Sequence, residues 1–155
     1  MAAPTLIKTI SVDTTTGQTG GAARIGLYAD NGAGYPGALV AGSDGGALIA
    51  TSGAAVQSNT INLTLQSGWY WLASIYTASG TFPTVASIAA SYSPSTTSEL
   101  GSDTAAHFFA ASAQAATGIS VAATYGSLSS INSGAFPSGA TLTLNAATPL
   151  LALGT

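Results

Sequence analysis

The sequence predicts an all-β protein, an antiparallel and jelly-roll-like β-sandwich, and three observations support this fold class. Apolar residues recur mostly at every second position, which is the period of a half-buried strand. Turn residues interrupt the pattern every eight to twelve positions or so, a spacing typical of sandwiches and barrels. Of the 155 residues, 46% are apolar and only 5% are charged, which favours a folded chain over a disordered one. We expect one domain over residues 1–155, with residues 1–20 as a candidate N-terminal arm.

The first two predicted strands are separated by a Thr- and Gly-rich loop at residues 13–21. The first strand is expected to place Leu6, Ile10 and Val12 on one face of a sheet. The second strand, residues 24–28, alternates with the same period. One of its faces carries Ile25 and Leu27, and the other carries Arg24 and Tyr28.

Turns and short strands lead from there to an aromatic segment. Turns are predicted at residues 30–32 and 36–37, short strands at 39–40 and 48–49, and a half-buried strand at 61–65. Residues 69–76 are mainly apolar or aromatic on both faces. We therefore expect this strand at the centre of a sheet, covered on both sides, with Trp69 and Trp71 packed in the core.

The second half of the chain carries weaker signals. Residues 91–98 are rich in Ser, Thr and Pro and predict a loop, whereas the Ala-rich stretch 104–116 is compatible with a helix. The whole stretch 91–116 therefore stays open between loop, strand and helix. Further strands are predicted at residues 85–90, 119–125, 141–145 and 150–153.

The charge of the chain excludes several kinds of partner. The net charge is −3, and Lys8 and Arg24 are the only Lys and Arg residues. Two cations cannot neutralise a run of phosphates, so nucleic acid is excluded as a partner and an anionic membrane is disfavoured. The N-terminus lacks the basic and apolar regions of a signal peptide, and no apolar run approaches the ~20 residues of a membrane helix. We expect synthesis in the cytosol without a cleavable export signal.

The sequence offers no group of residues for catalysis. His107 is the only histidine, no Gly-x-Ser-x-Gly motif surrounds a serine, and the five carboxylates are scattered, mostly in turns. Residues 30–32 lack the rest of a calcium loop, cysteine is absent, and no phosphate-binding glycine loop occurs. We predict that the protein is not an enzyme and that it has no catalytic residue, cofactor or metal site.

Aromatic residues in predicted loops are the best candidates for recognition. Tyr35, Phe82 and Tyr92 all lie outside the predicted strands. Exposed loop aromatics commonly contact partners. These three residues are therefore the candidate contacts for a partner protein or a glycan.

Two segments carry a resemblance to a known type of protein. Residues 24–40 read Arg-Ile-Gly-Leu-Tyr-Ala-Asp-Asn-Gly-Ala-Gly-Tyr-Pro-Gly-Ala-Leu-Val, and residues 68–73 read Gly-Trp-Tyr-Trp-Leu-Ala. Together they resemble a β-sandwich module of tailed-bacteriophage structural proteins. In that module an Arg-Ile-Gly-Leu-Tyr strand enters an Asp- and Gly-containing turn that ends in Pro-Gly, and a Gly-x-Tyr-Trp-Leu-Ala strand follows later. The resemblance covers about residues 20–76.

The resemblance implies a virion protein, and its leading interpretation is a capsid decoration (cement) protein. Such a protein would bind the major capsid protein on the outer head surface, and the symmetry of capsid lattices suggests a homotrimer. Residues 6–12 and 150–153 are the first candidates for subunit or capsid contacts. The alternative is a host-recognition module of a head fibre or tail fibre that binds surface glycan. A third hypothesis, a glycan-degrading enzyme, needs two carboxylates in one cleft, and the positions of the acids argue against it.

Overall fold

The computed structural model describes residues 3–32, 35–49, 53–88, 116–120, 123–128, 141–144, 148–149 and 151–155. Nearly all regular structure in these ranges is β-strand, and every pairing between described strands is antiparallel. The strands are β1 Thr5–Thr16, β2 Ala22–Asp30, β3 Pro36–Leu39, β4 Leu48–Ile49, β5 Ala55–Leu65, β6 Tyr70–Thr77, β7 Thr84–Val85, β8 Ser87–Ile88, β9 Ala116–Ser120, β10 Thr141–Leu144, β11 Thr148–Pro149 and β12 Leu151–Gly154.

The chain divides into two compact units. The first comprises Met1–Ala86, Ala123–Phe136 and Leu150–Thr155, and the second comprises Ser87–Ala122 and Pro137–Pro149. The first unit holds two antiparallel sheets packed face to face, so the predicted all-β sandwich is confirmed. That one domain spans residues 1–155 stays a prediction.

The first sheet of the sandwich is built around β1. One edge of β1 pairs with β5, and the other pairs with β12 and, at its C-terminal end, with β7. Most of the candidate N-terminal arm is therefore the central strand of this sheet. Ile10 pairs with Leu153 and Val12 with Leu151, which joins two segments that lie far apart in the sequence.

A change of register in this sheet decides which residues of β1 point inward. Ile7 pairs with Leu63 but Thr9 pairs with Thr60, so β5 carries one more residue than β1 in this interval. Asn62 lies in that interval with a positive φ of 47°, as bulge residues often do. The expected face of Leu6, Ile10 and Val12 is wrong at Leu6, which is 45% exposed, whereas Ile7 is buried.

The second sheet is built around β2. One edge of β2 pairs with β6 over eight consecutive residue pairs, and the other edge pairs with β3 and β4. The expectation that residues 69–76 are covered on both sides is wrong at Trp69 and Leu72, which are 70% and 42% exposed, and their place at the centre of a sheet stays a prediction. Among the described strands, β6 pairs only with β2. The apolar content of the segment was a poor guide to burial, because burial depends on which distant segments pack against the strand.

The core lies between the two sheets and contains the inward side chains of both. Ile25 and Leu27 are each 0% exposed, which confirms the face that the alternation of β2 predicts. Each such side chain contributes roughly 1.5–3 kcal/mol by leaving water. The buried core residues are Ile7, Ile10, Val12, Ala23, Ile25, Leu27, Leu48 and Leu65.

The second unit contains two short strand pairs. Strand β10 pairs with β9, and β11 pairs with β8. The strand predicted at residues 119–125 begins at Ala116 instead and ends at Ser120. The sequence left residues 91–116 open between loop, strand and helix. Residues 91–115 lie outside the described ranges, and Ala116 begins strand β9.

Candidate functional site

The two segments of the resemblance meet in the second sheet, where Asp30 joins them. Residues 22–29 of β2 pair with residues 70–77 of β6 in an unbroken register. The Asp30 N–H donates to the Trp69 carbonyl oxygen at 3.1 Å. The Asp30 carboxylate accepts the indole N–H of Trp71 at 3.0 Å. These bonds fix the start of β6 against the end of β2.

The same carboxylate shapes the turn between β2 and β3. Its other oxygen accepts the N–H of Gly32 at 2.7 Å, a local bond typical of Asp in turns. Asn31 donates its N–H to the Tyr35 carbonyl at 2.9 Å, and the Asn31 side-chain oxygen accepts the Tyr35 N–H at 3.4 Å. Asp30 therefore acts as a structural acceptor for the turn and for β6.

Two exposed aromatic side chains flank this turn. Trp69 is 70% exposed and Tyr35 is 48% exposed. The backbone of each bonds to a neighbouring residue of the turn, Trp69 to Asp30 and Tyr35 to Asn31. We call Trp69 and Tyr35 the aromatic pair. Their backbones are fixed by hydrogen bonds while their rings face water.

The prediction that both tryptophans pack in the core is wrong for Trp69. Strand β6 begins only at Tyr70, so Trp69 belongs to the turn that contains Gly68, whose φ is 154°. Trp71 is half-buried on the face of the sheet that carries Tyr28, its partner residue in β2. The signal in the sequence was Ser67-Gly68, which places the residue that follows near a turn.

The other predicted contact residues do not join this surface. Phe82 is 60% exposed, and Ser79 of the same loop donates its N–H to Thr19, just before β2 begins. Phe82 and Tyr35 therefore lie near opposite ends of β2, a separation of about 27 Å for a nine-residue strand. Tyr92 lies outside the described residues.

The segment of residues 6–12, a candidate for capsid contacts, is largely interior. Ile7, Ile10 and Val12 are buried between the sheets, and only Leu6 among the apolar residues of this segment is exposed. Contacts with another protein would therefore involve Leu6 and the polar side chains that face outward.

Asp44 joins a second set of contacts, on the face of β2 that points away from the core. Its carboxylate accepts Nε and Nη2 of Arg24 at 3.1–3.2 Å. It also accepts the N–H of Leu128 at 2.7 Å and that of Gly46 at 3.2 Å. The side chains of Arg24 and Asp44 are 21% and 9% exposed. No local pattern in the sequence indicates this pair, although a lone Arg in a chain with few charges is a reason to look for a carboxylate.

Ser43, the residue before Asp44, forms hydrogen bonds with the backbone at the middle of β2. Its hydroxyl oxygen accepts a hydrogen bond from the N–H of Leu27 at 3.0 Å, and its O–H donates to the Leu27 carbonyl oxygen at 3.2 Å. Val40 also donates its N–H to the Leu27 carbonyl, at 2.8 Å. Beyond the end of β3, the Ser43 side chain thus bonds to the Leu27 backbone as a neighbouring strand would. Ser43 is 0% exposed.

Tyr125 lies close enough to Arg24 and Asp44 for both charges to act on its hydroxyl. Burial raises the pKa of its hydroxyl, the charge of Arg24 lowers it, and the charge of Asp44 raises it. No hydrogen-bond partner within the described structure reaches that hydroxyl. The carboxylates of Asp30 and Asp44 both accept several N–H donors, so the geometry assigns them to structure.

Metal ligands and membrane spans were sought within the described ranges. In those ranges no three His, Cys, Asp or Glu residues lie close enough together to hold a metal ion. His107, Glu99 and Asp103 lie outside them. None of the described segments forms a helix long and apolar enough to cross a membrane. That the protein has no enzymatic activity, metal or cofactor stays a prediction.

Comparison of the chain with protein-family models, with curated proteins and with solved structures gave no significant match. The resemblance to a phage module thus depends on the two segments quoted above.

Proposed function

We propose that the protein is a structural component of a tailed-bacteriophage virion, and specifically a decoration protein on the outer surface of the head. It would bind the major capsid protein without a cofactor and bridge neighbouring capsid subunits. The added non-covalent contacts would strengthen the shell where internal pressure strains it.

The observation that carries this proposal is the pairing of the two resembling segments. Residues 24–40 and 68–73 are separated in sequence, yet they form adjacent strands that Asp30 joins through Trp69 and Trp71. The motif residues thus support one another in a rigid scaffold, which suits a role in assembly. A surface with few charges also suits permanent packing against another protein.

The copy number of the chain in purified particles tests the proposal. Quantitative mass spectrometry of virions whose genome encodes the chain would compare it with the major capsid protein. We expect a ratio within a few-fold of the capsid protein. A ratio lower by orders of magnitude would contradict decoration and favour a fibre or tail position, and absence from particles would overturn the virion role itself.

The second candidate function is host recognition at a head fibre or tail fibre, and the aromatic pair is the observation that favours it. A flat ring with a fixed backbone loses little conformational entropy when it binds a partner. Trp69 and Tyr35 would then contact sugar rings. Phe82, near the other end of β2, would belong to a separate contact.

Titration with soluble glycans of the host surface tests this second function. Trp69→Ala should abolish a glycan-dependent change in tryptophan fluorescence or in melting temperature, whereas Phe82→Ala should retain it. Absence of binding to the intact chain at millimolar glycan would reject the glycan-binding role.

A further inference from the structure

The turn between β2 and β3 contains the only Asn-Gly dipeptide of the chain, Asn31-Gly32. The other asparagines precede Thr, Leu, Ser and Ala. The backbone nitrogen that follows an asparagine can attack the carbon of its side-chain amide, and a glycine at that position hinders the approach least because it has no Cβ. Asn31 and Gly32 are both exposed, so water reaches them. This turn is therefore the place in the chain where such an attack is sterically easiest.

The Asp30 carboxylate opposes this attack. It accepts the Gly32 N–H at 2.7 Å, a short hydrogen bond to a charged acceptor. The Gly32 nitrogen must give up this proton to react, and a carboxylate so close to it both holds the proton and disfavours negative charge on the nitrogen. The bond also directs the N–H towards Asp30. The side chain of Asp30 thus restrains a reaction that the dipeptide itself favours.

We propose that Asn31 is a site of spontaneous covalent modification, and that the hydrogen bond from Gly32 to Asp30 sets its rate. The Gly32 nitrogen forms a bond to Cγ of Asn31, the bond from Cγ to Nδ2 breaks, and ammonia leaves with the proton of the Gly32 N–H. Water then adds to one of the two carbonyl carbons of the resulting succinimide ring. The ring opens to aspartate or to isoaspartate, and nothing is oxidised or reduced.

The modification changes the turn that carries the aromatic pair. Either product adds a negative charge next to Asp30, which takes the net charge from −3 to −4. The isoaspartate product also routes the main chain through the former side chain and so lengthens the turn by one backbone atom. The Asn31 N–H and side-chain oxygen both bond to the backbone of Tyr35, so the extra atom displaces these bonds and frees Tyr35. The reaction does not depend on the proposed virion role.

Peptide mapping by mass spectrometry tests the site in the folded full chain, sampled over days at neutral pH. Asn62 is the matched control, because it is also exposed but precedes Leu63. We expect Asn31 to convert at least about tenfold faster than Asn62, since only Asn31 is followed by a residue that leaves its amide carbon open to attack. Conversion of Asn31 no faster than that of Asn62 would overturn the modification site.

The role of Asp30 is tested by the same measurement on two variants, with circular dichroism to show that both are folded. Asp30→Asn keeps an oxygen for the Gly32 N–H but removes the charge, so Asn31 should convert several-fold faster. Trp71→Phe removes the other side-chain bond to the Asp30 carboxylate and should leave the rate unchanged.

Unfolding in urea separates this effect from the dipeptide itself. The natural chain should convert several-fold faster in urea than when folded, because the bond from Gly32 to Asp30 is lost. In urea the natural chain and Asp30→Asn should convert at nearly the same rate. Equal rates for these two chains in the folded state, or equal rates for the folded and unfolded natural chain, would overturn the role of Asp30.

Discussion

Asp44→Ala removes a carboxylate that three parts of the first unit contact. These are β2 through Arg24, the segment of residues 123–128 through Leu128, and the turn of Asp44 itself through Gly46. The substitution leaves the Leu128 N–H without its acceptor and Arg24 without its ion-pair partner. We expect a large loss of stability because both groups lie in a covered part of the sheet.

The size of the loss follows from the exposure of the pair. Breaking a fully buried ion pair costs 3–5 kcal/mol, and a hydrogen bond to a charged group contributes roughly 1.5–3 kcal/mol. The Arg24 side chain is 21% exposed, so its guanidinium regains some hydration after the change. We therefore expect a cost at the lower end, about 3 kcal/mol, which lowers the ratio of folded to unfolded protein by about two orders of magnitude.

Urea unfolding, followed by circular dichroism, measures this cost as a change in the free energy of unfolding. Asp44→Asn is the matched variant, since it keeps an acceptor oxygen for the Leu128 N–H but loses the charge, and its cost should be smaller. A double-mutant cycle with Arg24→Met isolates the coupling between the two side chains. A cost of less than about 0.5 kcal/mol for Asp44→Ala would refute the reasoning, because the pair would then behave as an exposed surface salt bridge.

Three further substitutions test other parts of the sandwich. Ser43→Ala should cost about 1–3 kcal/mol in urea unfolding because the buried Leu27 N–H loses its acceptor; a neutral result would show that another group replaces the hydroxyl. Gly37→Ala should lower the melting temperature, since its Cβ would lie 3.0 Å from the Ala29 carbonyl oxygen. An unchanged melting temperature would mean that the β2–β3 turn adjusts freely. Burial raises the pKa of the Tyr76 hydroxyl, and the Ser74 hydroxyl lowers it by less. The folded protein therefore holds this proton more tightly than the unfolded chain. The contribution of Tyr76 to stability is fully present below the unfolded pKa of about 10 and is lost as pH rises through the folded pKa. Thermal unfolding between pH 9 and pH 11 should show a steeper loss for the natural chain than for Tyr76→Phe, and equal slopes would contradict this assignment.

The inward residues of β2 could be predicted from the sequence because side chains alternate strictly along a strand. Ile25 and Leu27 at alternate positions are enough to assign one face of β2 to the core, and both are fully buried. The turn at Asp30 was predictable for a similar reason, since the Asp side chain bonds to the backbone two residues later. These features depend on atoms a few residues apart.

The residues that the sequence misplaced depend on long-range pairing. Leu6 faces outward because the register between β1 and β5 shifts between Ile7 and Thr9, and the spacing within β1 alone cannot show how many residues oppose it. The apolar content of residues 69–76 indicated burial, but Trp69 and Leu72 stay exposed. Register and exposure are set by the contacts of distant segments, which a local pattern does not contain.

The sequence by itself determined the fold class, the period of the strands, the core face of β2 and the scarcity of charge, from which we predict that nucleic acid is not a partner. Only the tertiary structure decided that Trp69 and Tyr35 flank one turn, that Phe82 lies near the opposite end of β2, and that Asp44 joins Arg24 to Leu128. The physical reason is that alternation and turn chemistry are properties of neighbouring residues. A surface or a buried ion pair exists only once strands and loops distant in sequence have packed together.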